Sequence, residues 1–353
     1  MRRSIITKSL VAGTTLLLGA AVGVGAVHAA PAPATPAPSV FTLPLPVPLV
    51  VTVSTGAGGA ITDVTVDPND ITQLKARPGK VSFVNNADGV KVSVGSHGQS
   101  QMISARGKTL ADFSNASGGG WKGDVFGDGT MWMVPFVVGG TDTAPTITIG
   151  TITGGTAAIV PTTMSTGEHH DGNAVVARAG VKFTNADGTL GRSLWIGVKV
   201  EAGGDADSDG DAHQPSASLS ISLGRVRGLP QTAAQATAGP HTWTGLLCDN
   251  STASVTYSIA ADGTITIADG AVTPTTATVK VDGTKASVRF GDHQSIRIHA
   301  KVDSAGLITV NVAERIRCRD AAAPTINGQP ATVTTMPGHD SSTGGTHHRR
   351  GKH

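Results

Sequence analysis

Trp121-Lys122-Gly123-Asp124-Val125-Phe126, leading into Val134-Pro135-Phe136-Val137-Val138, is echoed later in the chain. The second version is Trp243-Thr244-Gly245-Leu246-Leu247-Cys248, leading into Val255-Thr256-Tyr257-Ser258-Ile259. In both, a Trp-x-Gly segment precedes a run in which apolar and polar residues alternate. Self-similarity sets architecture before any single element does, because repeated units bury their faces against one another. Strict alternation is the signature of an antiparallel sheet with one wet face.

Working outward, two further pieces recur. The first is a hairpin: Val51-Thr52-Val53, a turn over Gly56 to Gly59, then Ile61 to Val66. It returns at 134–152, with its turn expected around Gly139-Gly140, and at 255–272, with Asp262-Gly263 as the turn. Asp-Gly between alternating runs is a strong local hairpin signal. The second piece is Val81-Ser82-Phe83, a turn over Asn86-Ala87-Asp88-Gly89, then Val90 to Val94. Its counterparts are Val181-Lys182-Phe183 with Asn185-Ala186-Asp187-Gly188 and Leu194 to Val200, and Val288-Arg289-Phe290 with Gly291-Asp292 and Ile296 to Ala300. Nothing between them carries a long helical period, and β-branched residues dominate. The expected fold is all-β, built from repeated antiparallel β-sandwich or open-barrel modules. Module 1 is placed at 50–155 and module 2, with a third partial copy, at 156–320.

The ends read differently. Arg2, Arg3 and Lys8 precede an apolar stretch from Leu10 to Val27, and small residues allow cleavage near Ala29 or Ala30. Residues 1–30 therefore read as an export signal, by the general secretory or twin-arginine route. The prolines of 31–49 read as an extended spacer. From 321 to 353 the composition falls to Pro, Gly, Ser, Thr, His and Arg, which reads as a disordered tail. Setting the signal aside lowers Lys+Arg from 27 to 24 against 25 acidic residues. A balance near −1 leaves no electrostatic footprint for nucleic acid or an anionic membrane, and no other apolar run is long enough to span a bilayer. Cys248 and Cys318 in an exported chain read as one disulfide closing a loop of about 70 residues; the rival reading is a nucleophilic cysteine. Signal and Ala-, Thr-, Gly- and Val-rich composition together resemble those of exported β-rich proteins of high-GC actinobacteria.

Three places could carry chemistry. Asp205, Asp207, Asp209 and Asp211, with Gly210, match the start of a calcium loop, where carboxylates converge on a hard cation. The bidentate twelfth position is Ser216, so Ca²⁺ binding is expected to be weak at best, against a plain acidic hairpin loop. His169, His170 and Asp171 offer metal ligands, but adjacent histidines on an extended chain point to opposite faces. Trp195 lies out of phase with Leu194, Ile196 and Val198, so it is expected on the outer sheet face, as a platform for a ligand or under a neighbouring segment. No nucleophile elbow, zinc-protease motif or phosphate loop is present. The expectation is a secreted, non-enzymatic surface or extracellular module whose partner is a cell-wall polymer, polysaccharide or protein. The alternatives are a secreted hydrolase with a site assembled from distant residues, and a calcium-stabilised adhesin.

Overall fold

The computed structural model describes residues 37–169, 172–202, 215–318 and 321–331. Residues 1–36, Asp205 to Asp211, His170 and Asp171, the His169 side chain and residues 332–353 lie outside the described residues. Almost all regular structure is strand. The chain runs through β1 (Ser39–Leu43), β2 (Leu49–Thr55), β3 (Ile61–Asp67), β4 (Ile71–Arg77), β5 (Lys80–Asn85), β6 (Lys91–His97) and β7 (Ser100–Gly107). Next come β8 (Gly119–Asp124), β9 (Met131–Thr141), β10 (Ala144–Ile149), β11 (Thr156–His169), β12 (Gly172–Thr184), β13 (Leu190–Glu201), β14 (Ser216–Leu223) and β15 (Arg227–Gly228). A second group follows: β16 (His241–Leu246), β17 (Thr252–Ile259), β18 (Ile265–Thr266), β19 (Val272–Thr273), β20 (Thr278–Asp282), β21 (Lys285–Gly291), β22 (Gln294–Val302) and β23 (Ile308–Ile316). The chain then returns through β24 (Thr325–Ile326) and β25 (Gln329–Pro330).

Two hydrophobic cores result. In the first, the sheet β10-β9-β8-β1-β2-β3-β24-β25 faces the sheet β11-β12-β13-β14-β7-β6-β5-β4. Phe41, Phe83, Phe113, Trp121, Phe136 and Phe183 fill the space between them, each contributing roughly 1.5–3 kcal/mol or more by leaving water. In the second, β16–β19 face the sheet β20-β21-β22-β23 around Val255, Val288, Ile296, Ile298 and Ile308. The sheets are open and antiparallel except for β24, which pairs with β3 in parallel.

The recurrent pieces are hairpins: β2–β3, β9–β10 and β17–β18 for the first, β5–β6, β12–β13 and β21–β22 for the second. The Trp-x-Gly segments are β8 and β16, in different sheets. Their local geometry is shared. A Cβ on Gly123 would collide with the Trp121 ring, and a Cβ on Gly245 with the Trp243 ring. Residues two apart on a strand share a face, so the glycine is the space in which the indole lies down. Trp121 then meets Phe183 with ring centroids 5.9 Å apart, and Trp243 meets Phe290 at 5.6 Å. Each indole thus packs on the Phe of the next hairpin of the second kind, β12–β13 for Trp121 and β21–β22 for Trp243.

The structure revises four boundaries. The junction expected at 155 cuts through one core, because β4–β7 and β11–β14 are neighbours in one sheet. They meet through β7 and β14, where Ile103 pairs with Ile221 and Gln101 with Leu223. The spacer expected over 31–49 contains β1, held between β8 and β2 with Phe41 and Leu43 fully buried. Ser39 to Leu43 is a proline-free alternating run, and the prolines that suggested a spacer only bracket it. The tail expected from 321 is ordered to 331. Asn327 and Gly328, at φ 50° and 73°, turn β24 into β25. The Asn327 side chain accepts from Val66 N at 2.6 Å, and Ile326 is buried in the first core. Finally, Gly139 and Gly140 lie inside β9, opposite Thr146 and Pro145. The turn is Asp142-Thr143, with the Asp142 carboxylate accepting from Leu110 N at 3.1 Å.

A polar cluster joins the cores. Trp243 Nε1 and Gln99 Nε2 both donate to Glu314 Oε1, at 2.8 and 3.0 Å. Arg192 donates to the carbonyls of Val125 at 2.6 Å, Gly224 at 2.7 Å and Gln99. Its enclosure pulls the guanidinium pKa down to about 10, with Asp124 and Glu314 opposing the shift.

Candidate functional site

Alternation along β12, β13 and β14 sends Ala177, Ile196, Val198, Leu219 and Ile221 into the first core. The intervening residues therefore form the outer face, and Trp195 is among them, half-buried as its phase requires. Its register partners are Gly180 on β12 and Ser222 on β14. A Cβ at Gly180 would lie 2.7 Å from the indole, so the ring rests against a strand that offers no side chain there. The Arg178 guanidinium sits over the ring, its Cζ 4.4 Å from the centroid, a cation–π contact. Trp195 is thus a stacked tryptophan–arginine platform rather than a bare aromatic face.

Small residues continue the surface. Gly197 pairs with Ser220, Ser220 with Ser104 on β7, and Ser104 with Ser93 on β6. An open groove of about 210 Å³ lies between Trp195, Arg178, Lys199 and the serines of β14. At its end Glu201 draws three strands together. Lys199 Nζ is 2.5 Å from Glu201 Oε1, and Arg106 Nη2 is 3.7 Å from Oε2. Ser216 donates to Glu201 at 2.9 Å and accepts from Arg106 at 3.2 Å. Hydrogen bonds from Lys199 and Ser216 hold the Glu201 carboxyl below the usual glutamate range.

Such a surface offers a stacking plane, a guanidinium, hydroxyl donors and acceptors, and no bulky barrier along its length. It suits a ligand laid flat rather than one engulfed. Among the described residues no group of three His, Cys, Asp or Glu side chains is arranged to hold a metal. Sequence phase placed Trp195 outward, but Arg178, Arg106 and Glu201 were missed. The first reaches the indole diagonally from the neighbouring strand, and Arg106 meets Glu201 across strands distant in sequence, whereas Lys199 and Glu201 are two apart on β13. Cys248 and Cys318 stand at disulfide distance, Cα to Cα 5.3 Å, beside the second core.

The fold defines an all-β protein of two stacked-sheet cores with open outer faces. No protein-family model, curated protein or solved structure matches the chain.

Proposed function

We propose that the protein is an exported, non-enzymatic binding module working outside the cell or at its surface, with the outer face of β12–β14 as a ligand-bearing surface. The observation that carries this reading is the Trp195–Arg178 platform at the head of an open, serine-lined groove. A guanidinium laid on an indole on a rigid sheet is a pre-organised planar cap against which a sugar ring can pack, and the flanking hydroxyls are placed to bond to it. Export is supported by the cysteine pair, which persists in oxidising compartments. Among the described residues no helix is long and apolar enough to cross a membrane.

The test is a sedimentation assay of the mature protein with isolated cell wall and with insoluble neutral polysaccharides. Retention is expected, with Trp195→Ala and Arg178→Ala each lowering it at least tenfold. Retention unchanged in both variants overturns the surface. A screen of glycosidase, esterase and protease substrates is expected to show no turnover; robust turnover abolished by His170→Ala would instead establish the hydrolase.

A further inference from the structure

The outer face of β20–β23, on the second core, is a lattice of cations. Alternation buries Ala286, Val288, Ile296, Ile298, Ala300 and Val310 and turns the residues between them to the outer face. Across the strands the register reads Thr278, Arg289, Ser295, Arg315; then Lys280, Ser287, Arg297, Ala313; then Asp282, Lys285, His299, Asn311; then Lys301 and Thr309. Lys280, Lys285, Arg289, Arg297, Lys301 and Arg315 are all exposed. They occupy alternate squares. In each row with two, a Ser separates them, and the next row shifts them by one strand. No two of these Lys or Arg residues are direct cross-strand partners, the arrangement in which like charges repel most.

These cations are also uncommitted. Both ion pairs among the described residues belong to Glu201 on the first core. Asp282 is the single carboxylate on the lattice. Asp303, just past β22, is occupied in accepting from Ala305 N and Leu307 N. A concavity of about 410 Å³ runs along Lys280, Lys285, Arg297 and His299.

We infer that this face binds a linear anionic polysaccharide, a chain carrying acid groups and no nucleobases. Strands about 4.8 Å apart and same-face residues about 6.8 Å apart put nearest cations about 8 Å from one another. That spacing matches acid groups carried on every one or two sugar rings. Duplex DNA is entered by an α-helix or a two-stranded ribbon set into its major groove, and a four-stranded sheet face offers neither. Single-stranded nucleic acid is held largely by aromatic stacking, and the lattice contains no Phe, Tyr or Trp. Charge complementarity and the missing stacking platform together select the sugar polymer. Neutral net charge hid this face, because the chain's acidic residues lie elsewhere. It is separate from the Trp195 surface, on the other core.

The full-length mature protein, titrated with hyaluronan (one carboxylate per disaccharide) at low salt, is expected to bind and to lose affinity steeply as salt rises. Lys280→Ala/Arg297→Ala should weaken it at least tenfold. Arg77→Ala/Lys122→Ala, which removes the same charge from the first core, should leave it within twofold, and Trp195→Ala should not change it. Equal losses in the two double variants, no binding at low salt, or tighter binding to single-stranded DNA of matched charge would each overturn the inference.

Discussion

On the outer face of β12–β14 and neighbouring β7 three cations are engaged and one, Lys182, is in no ion pair among the described residues: Arg178 lies on Trp195, while Lys199 and Arg106 meet at Glu201. On the outer face of β20–β23 six cations stand apart, with a serine, threonine or alanine opposite most of them. Both faces come from the same rule, every second residue outward. The difference lies in where the carboxylate was placed. One glutamate turns a charged surface into a braced one with a free aromatic edge. With a single carboxylate, Asp282, among six cations, the other face keeps a surplus of positive charge. The contrast extends inward, since the core under the lattice holds both cysteines and the only tyrosine.

The most forceful way to break that comparison is through the cysteines. Cys248 and Cys318 are 70 residues apart, a loop whose closure is worth about 4 kcal/mol. Cys248→Ser/Cys318→Ser should therefore speed amide exchange throughout β16–β23 and leave β5–β7 and β12–β14 protected. Equal acceleration in both cores would show that they open as one unit.

Next in size is the glycine beneath each indole. Gly123→Ala and Gly245→Ala should each cost about 1–3 kcal/mol, because the ring must move or its strand must. Gly120→Ala, on β8 itself, has its nearest neighbour at 3.8 Å and should stay within about 0.5 kcal/mol of wild type. Urea denaturation of the three variants checks this, and a neutral Gly245→Ala would mean that the two Trp-x-Gly segments are not built alike.

The smallest effect sharpens the comparison spectroscopically. Tyr257 is buried in the second core, which pushes its phenol up to about 12. The unfolded chain releases that proton near 10. The tyrosine's contribution to stability is therefore intact below pH 10 and is lost as pH rises toward 12. Because no other tyrosine exists, tyrosinate absorbance reports on this core alone. Ionisation near 10 in the folded protein would mean that the second core is open to water.

The hairpins were legible because each is local. Alternating runs flank Asp262-Gly263 and Asn185 to Gly188, and turn chemistry settles the pairing within a few residues. What joins hairpins was not. Ile103 pairs with Ile221 across more than a hundred residues, and an apolar pattern marks a buried face without naming its neighbour. Prolines around Ser39 to Leu43 masked a central strand, and a polar composition after Ala321 masked the Asn327-Gly328 hairpin that closes on β3. Trp195 was placed outward by phase alone. The cation lattice could have been read from Lys285, Arg289, Arg297 and Lys301 at alternating positions, but only once β20–β23 were aligned in register.

Mechanical load gives the cysteine pair a further meaning. A protein pulled by its two ends transmits tension along the backbone until a covalent shortcut diverts it. Here the force entering at Cys248 passes straight to Cys318, so the segment between them, spanning a sequence separation of 70, carries none of it. At about 3.3–3.6 Å per residue, roughly 240 Å of contour is withheld from extension. The whole of β17–β23, cation lattice included, would ride untensioned while the strands of the first core bear the load and yield first.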